Sequence, residues 1–330
     1  MDTVIELTDV AKTFTRRRRQ PGSLRRIRTI VPAVNGLSFT VAAGEMVGYL
    51  GPNGAGKSTT VKMLTGILVP SSGRIRVAGL EPSRQRSTLA RRVGVVFGQR
   101  TTLWWDLPLR DSFQLIRHLY RLEPVRYARN LVQLVDLLGL GELLDVPVRQ
   151  LSLGQRMRGD LAAALLHDPA ILYLDEPTIG LDVVSKSAIR QFLLDRNRAQ
   201  GTTILLTTHD LGDVERLCDR VMVIDHGRLA FDGSLEALRA LVPVPRVLVV
   251  DLAEAGPPMA GVEVIRVDGP RQWVTIPAGS SAAALTARLM AGHDVRDLSV
   301  EEPSIEDVVH RLYAGHAGAA QASGFPEPAR

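Results

Sequence analysis

Short apolar runs alternate with stretches of helical periodicity up to about residue 240. Val4–Leu7, Glu45–Leu50, Val93–Phe97, Ile171–Leu174, Thr203–Thr207 and Val221–Ile224 have the length and β-branched or apolar content of strands. Helices are predicted from Ser58 onward and over Val183–Gln200, after Asp182. Strand, loop, helix, strand in repetition predicts an α/β domain with a largely parallel, buried sheet. Between Thr101 and His167 no clear strand appears. There the apolar positions recur with helical spacing (Leu115, Ile116, Leu119; Leu131, Leu134, Val135, Leu138), which predicts an inserted helical subdomain.

The pattern changes past the last of these strands. Asp225-His226-Gly227-Arg228 reads as a tight turn into a strand at Leu229–Phe231, and Asp232-Gly233-Ser234 as the cap of a helix from Leu235. Val242-Pro243-Val244-Pro245 reads as a linker. Strands are then expected at Val247–Leu252, Val262–Val267, Gln272–Ile276 and near Val295–Val300, with helices at Ala282–Met290 and Ser304–Leu312. The expected organisation is an α/β domain over 1–240, a small α+β domain over 241–313 and a disordered Ala/Gly/Pro-rich tail over 314–330.

Charge refines this outline. The chain of 330 residues has a formal net charge of +5, but seven arginines fall between Arg16 and Arg28 with no acid among them. Apart from those seven charges the chain carries −2, so it has one basic segment rather than a basic surface. That argues against a broad nucleic-acid-binding face. The longest unbroken apolar run is the six residues Leu161–Leu166, whereas a membrane-spanning helix needs about 20. The first residues show no apolar signal core, and the single cysteine, Cys218, allows no internal disulfide. A cytosolic location is the expectation.

Candidate chemistry begins at Gly51-Pro52-Asn53-Gly54-Ala55-Gly56-Lys57-Ser58, followed by Thr59. This is G-x-x-x-x-G-K-[ST] between a strand and a helix, the context the motif requires. Glycines let backbone N–H groups close around phosphate oxygens, and the helix N-terminus adds partial positive charge. Lys57 is placed to reach the β- and γ-phosphates, and the Ser58 hydroxyl to ligate Mg²⁺. The apolar run Ile171–Leu174 delivers Asp175 and Glu176 at its C-terminal end, where ligands sit in open α/β sheets. Asp175 suits the Mg²⁺ shell, directly or through water, and Glu176 can serve as general base toward an attacking water.

A third element narrows the class. Leu151-Ser152-Leu153-Gly154-Gln155-Arg156 resembles the LSGGQ signature of ATP-binding-cassette ATPases, and the family's other marks surround it in order. By that resemblance Gln99 is the Q-loop glutamine and a Mg²⁺ ligand, and Gly180-Leu181-Asp182 the D-loop. His209 is the switch histidine, and Phe14 the aromatic that stacks on adenine. The resemblance covers residues 1–240 and implies a P-loop NTPase fold, ATP hydrolysis and Mg²⁺ dependence. Leu153 departs from it by standing where glycine is usual. A backbone N–H remains available there, though leucine tolerates fewer conformations than glycine.

Ser152 can cap the helix that follows, which makes a second anion-binding helix start about 100 residues from the first. The resemblance implies that two chains pair head to tail, the Ser152, Gly154, Gln155 and Asp182 region of one completing the ATP site of the other. It also implies a separate integral membrane permease, with this chain peripheral at the cytoplasmic face. Glu301-Glu302-Pro303-Ser304-Ile305-Glu306-Asp307-Val308-Val309 resembles the C-terminal ending of ATPase subunits of ABC-2-type exporters. Phe97–Arg100 and Leu103-Trp104-Trp105-Asp106-Leu107-Pro108 resemble one branch of that group. Adjacent Trp104 and Trp105 cannot both face one core, so at least one is expected at a surface, where it can grip a permease helix; the alternative is that both pack inside the helical subdomain. Arg16–Arg28 reads as an inserted loop, either merely solvated or in contact with anionic lipid or an acidic permease loop. The alternative to transport is a soluble ABC ATPase acting on ribosomes or DNA.

Overall fold

A computed structural model describes residues 2–19, 26–98, 100–208, 210–241, 245–277, 279–301, 308–309 and 311, with backbone alone at 16–19 and 26–28. The chain divides into two units, Met1–Leu235 and Glu236–Arg330.

The first unit is built on two sheets. Six strands form the larger one in the order β5-β6-β7-β3-β8-β9: β3 (Met46–Leu50), β5 (Val93–Phe97), β6 (Ile171–Asp175), β7 (Thr203–Thr207), β8 (Arg220–Asp225) and β9 (Arg228–Ser234). All pairs are parallel except β8–β9. Every residue of β3 and β7 is buried, which is why these strands read as unbroken apolar runs instead of alternating ones. The smaller sheet is antiparallel, in the order β2-β1-β4: β1 (Thr3–Arg19), β2 (Arg26–Ala42) and β4 (Ser72–Val77). It shares one core with the larger sheet, in which Val10, Val41, Val47, Tyr49, Val61 and Tyr173 meet.

Strand β4 left little trace in the sequence. In Ser72–Val77 only Ile75 and Val77 are buried, and arginines occupy the outward positions, so no apolar run forms. The Arg16–Arg28 segment differs from the inserted loop expected of it. The β1–β2 ladder continues through Arg16↔Thr29, Arg17↔Arg28, Arg18↔Ile27 and Arg19↔Arg26, so the described part of the segment is strand, and residues 20–25 lie outside the described ones. A run of arginines has no polar–apolar alternation, and so the strand was invisible to pattern reading.

Helices cover the larger sheet: α1 (Lys57–Leu64), α2 (Arg86–Ala90), α6 (Val183–Gln200) and α7 (Leu211–Leu217). The interval Thr101–His167 is helical as expected, with α3 (Leu109–Tyr120), α4 (Pro124–Leu137) and α5 (Leu153–Leu165). Each has a physical start. Pro124 opens α4 behind Glu123, whose carboxylate accepts from Val125 N and Arg126 N at 2.9 and 2.8 Å. Ser152 and Gln155 form a capping box at α5, each side chain bonding the other's backbone N–H. No described helix is long and apolar enough to cross a membrane.

The second unit begins within the helix α8 (Leu235–Leu241). It is a four-stranded antiparallel sheet, order β11-β12-β10-β13: β10 (Val247–Leu252), β11 (Val264–Asp268), β12 (Arg271–Thr275) and β13 (Val295–Glu301). Helix α9 (Ala282–Gly292) buries Leu285 and Leu289 against Leu248, Val250 and Val274. Most of the expected helix Ser304–Leu312, the linker residues Val242–Val244 and the Ala/Gly/Pro-rich tail lie outside the described residues.

Candidate active site

The phosphate-loop motif links the end of β3 to the start of α1, and its geometry requires its glycines. Gly54 has φ +85° and Gly56 φ +109°, a region that L side chains enter only with strain. Gly51 is needed for space: a Cβ there would lie 2.6 Å from the Ile224 carbonyl. Two neighbours brace the loop. Gly227 N donates to Ala55 O at 3.0 Å, and Asn35 N to Gly227 O at 2.8 Å, so the β8–β9 turn is clamped between the loop and β2.

Lys57 is buried, and its Nζ donates to Gly51 O at 2.5 Å and Pro52 O at 3.3 Å. Burial lowers its pKa, and the charges of Glu176 and Asp175 act in the opposite direction. The lysine therefore caps the loop's own carbonyls while facing two carboxylates.

Those carboxylates arrive on β6. Asp175 Oδ1 accepts from Thr207 Oγ1 at 2.5 Å and from Ser58 Oγ at 3.4 Å, which joins three strand and helix ends at one oxygen. Glu176 sits at φ +58°, a left-handed conformation rare for a residue with a side chain. It is held there by Glu176 N donating to Thr207 O at 2.9 Å and by the close approach of Gly98, whose N donates to Asp175 O at 2.6 Å. A Cβ on Gly98 would collide with the Glu176 carbonyl. Thr207 and Gly98 were not singled out in the sequence; their only signal is their position at the ends of strands flanking the Asp-Glu pair.

A cavity of about 530 Å³ gathers this chemistry. Pro52, Asn53, Gly54, Gly56, Lys57, Ser58, Thr59, Asp175 and Glu176 line it, joined by Ala33, Lys62, Phe97, Gly98 and Arg100, which the sequence did not indicate. Gln99 lies between two lining residues but outside the described ones, as does His209, which follows buried Thr208. Phe14 is not part of the lining. It is 41% exposed, pairs with Val31 two residues from Ala33, and has Lys12 Nζ 5.4 Å from its ring centre.

Ser152, Gly154, Gln155 and Asp182 also lie outside the cavity lining, and they form a second cluster. Asp182 caps α6 by accepting from Ser185 N at 2.9 Å and Ser185 Oγ at 2.7 Å, and these bonds hold its carboxyl below the usual range. A Cβ on Gly154 would lie 2.6 Å from that Ser185 hydroxyl, so the start of α5 packs directly on the start of α6. Ile179, Val183 and Val184 are exposed beside this junction, the two valines by 82% and 79%.

A phosphate-binding loop closing a parallel strand, with an Asp-Glu pair on a neighbouring strand, defines a P-loop nucleoside triphosphatase. Comparison with known proteins narrows this. Residues 34–179 match the ABC transporter family. The chain is 35% identical over 235 residues to the ABC transporter ATP-binding protein NatA of Bacillus subtilis, covering 71% of this chain and 91% of that one. It is 37% identical over 298 residues to the daunorubicin/doxorubicin resistance ATP-binding protein DrrA of Streptomyces peucetius, covering 86% and 88%. A solved ATP-binding subunit of an ABC transporter superposes with a TM-score of 0.62 at 28% identity, covering 72% of this chain and 92% of that one. The chain belongs to the ABC transporter family and is an ATP-binding, ATP-hydrolysing subunit.

Proposed function

We propose that two copies of this chain pair head to tail and power a membrane permease that works as an exporter. ATP and Mg²⁺ occupy the cavity, and hydrolysis at Glu176 resets the pair. One observation carries the pairing. The helix start at Ser152 carries the partial positive charge that attracts an anion, yet it lies outside the cavity and beside exposed Val183 and Val184. An apolar, anion-binding surface of this kind is complete only against a second nucleotide site.

Within each cavity the roles follow from chemistry. Lys57 and the loop amides hold the phosphates. Ser58 and Asp175 are hard oxygen donors 3.4 Å apart, which suits Mg²⁺. Glu176, fixed by β7 and Gly98, is the general base toward water. Gln99 and His209 read the γ-phosphate. The export direction is supported by the similarity to the Nod factor export ATP-binding protein I of Rhizobium sp. (strain N33), 43% identical over 208 residues, and by the Trp104-Trp105 pair. These tryptophans are 37% and 50% exposed, as a permease-gripping surface requires. The seven arginines between Arg16 and Arg28, with no acid among them, support peripheral contact with an anionic membrane.

Purification of the tagged chain from detergent-solubilised membranes tests this reading. A stoichiometric polytopic partner whose presence stimulates ATP turnover is the expected result. Co-purifying ribosomes or DNA with no such partner would overturn it in favour of a soluble ABC ATPase.

A further inference from the structure

Helix α5 begins at Ser152, and three of its residues in its second and third turns meet the segment that follows Gln99. Arg156 lies over the Trp105 ring, 5.5 Å from its centre. Gly159 lets the segment approach: a Cβ there would lie 3.0 Å from both Leu103 Cδ1 and Leu109 Cδ1. Asp160 makes the third contact and the most directional one. Its Oδ1 accepts from Thr102 N at 2.8 Å, Thr102 Oγ1 at 3.0 Å and Thr101 Oγ1 at 3.0 Å. Asp160 is 5% exposed, so these bonds replace water that the carboxylate has lost.

A buried carboxylate in a helix is costly, and an apolar residue would fill the site more cheaply. What the carboxylate adds is direction. It fixes the backbone of Thr102 and both threonine hydroxyls to one oxygen on the signature helix. The segment so fixed runs from the cavity wall at Arg100 to the exposed Trp104 and Trp105. We infer that Asp160 is a positioning residue that makes the Thr101–Trp105 segment and the helix bearing Ser152 move as one body. Events at one chain's cavity and at its tryptophan surface thereby set the placement of Ser152 at the partner's nucleotide. This rests on the proposed head-to-tail pairing, and it adds a link that neither motif supplies alone.

The test uses the full chain and separates nucleotide binding from turnover. Asp160→Ala should leave equilibrium binding of a fluorescent ATP analogue within about twofold, because no Asp160 atom lines the cavity, while ATP turnover falls about tenfold at unchanged KM. Asp160→Asn, whose amide oxygen still accepts from Thr102 N–H, should recover most of that loss. Thr101→Val with Thr102→Val should reproduce the Asp160→Ala defect, and combining all three changes should add little to it. If Asp160→Ala lowers thermal stability and analogue binding in parallel, and Asn fails to restore turnover, the residue is only structural and the inference is overturned. Parental turnover in both Asp160→Ala and the double threonine variant also overturns it. Ser152→Ala keeps the two levels apart. Lost turnover in that variant with none in Asp160→Ala sinks the coupling alone, whereas parental turnover in Ser152→Ala sinks the pairing itself.

Discussion

The side chain of Leu153 lies against Gly180: a Cβ on that glycine would come within 2.8 Å of Leu153 Cδ2. Gly180 has φ +69°, so it is glycine for both conformation and space. Leucine in place of the usual signature glycine therefore packs its side chain on Gly180 of the chain's own Gly180-Leu181-Asp182 segment. Leu153→Gly should loosen this contact and cost about 1–2 kcal/mol through lost packing and helix propensity, read as a lower Tm. It should give no gain in ATP turnover. A several-fold gain would show that Leu153 hinders phosphate contact.

Glu176→Gln keeps the shape of the side chain and removes the base. Turnover should fall by about 10²–10⁴-fold while nucleotide binding persists. The ATP-bound pair should accumulate and be visible by light scattering as doubled mass. Hydrolysis at the parental rate would mean that another group activates the water.

The loop glycines should differ in their tolerance. Gly54 faces open space, so Gly54→Ala meets only the strain of its φ, about 1–2 kcal/mol. Gly56→Ala adds a collision with the Ala33 carbonyl and should weaken nucleotide binding much further. Equal losses in a titration with a fluorescent nucleotide would contradict this account.

His167 predicts an acid limb of stability. Its Nε2 donates to Val93 O at 3.0 Å, and its buried Nδ1 has no partner among the described residues. Burial above all drives its pKa down from 6.5 to about 4, with the nearby Arg126 and Arg196 charges in support. The folded chain thus holds it neutral where the unfolded chain takes up a proton. Its contribution is full above pH 6.5 and is lost as pH falls toward 4, about 3 kcal/mol in all. His167→Gln should flatten this part of a pH series of denaturant midpoints.

The stretch Arg16–Arg28 carries seven arginines and no acid. An anionic membrane surface would attract this stretch, at about 1 kcal/mol per arginine. Replacing Arg16–Arg19 by serine should weaken sedimentation with phosphatidylserine vesicles, in a salt-sensitive way, and leave ATP binding intact. Unchanged sedimentation would mean that the stretch is merely solvated.

Residue types and their spacing were enough to place Gly51–Ser58, Asp175-Glu176 and Ser152–Gln155 on their strand ends and helix starts. Each depends on local geometry: a glycine loop before a helix, a serine three residues from a glutamine, an apolar run ending in acids. Contacts between distant segments were not legible in this way. Thr207 reaches Asp175 across 32 positions, Asp160 reaches Thr102 across 58, and Leu153 finds Gly180. The register that carries the β1–β2 ladder through to Arg19↔Arg26 depends on which residues pair across it. The sequence alone determined the chemistry of the nucleotide site, because that chemistry is carried by residues held by their own neighbours. Only the tertiary structure decided what holds Glu176 in place, how Leu153 is accommodated and how the signature helix is tied to the Gln99 segment. Those depend on packing between strands and helices that meet only when the chain has folded.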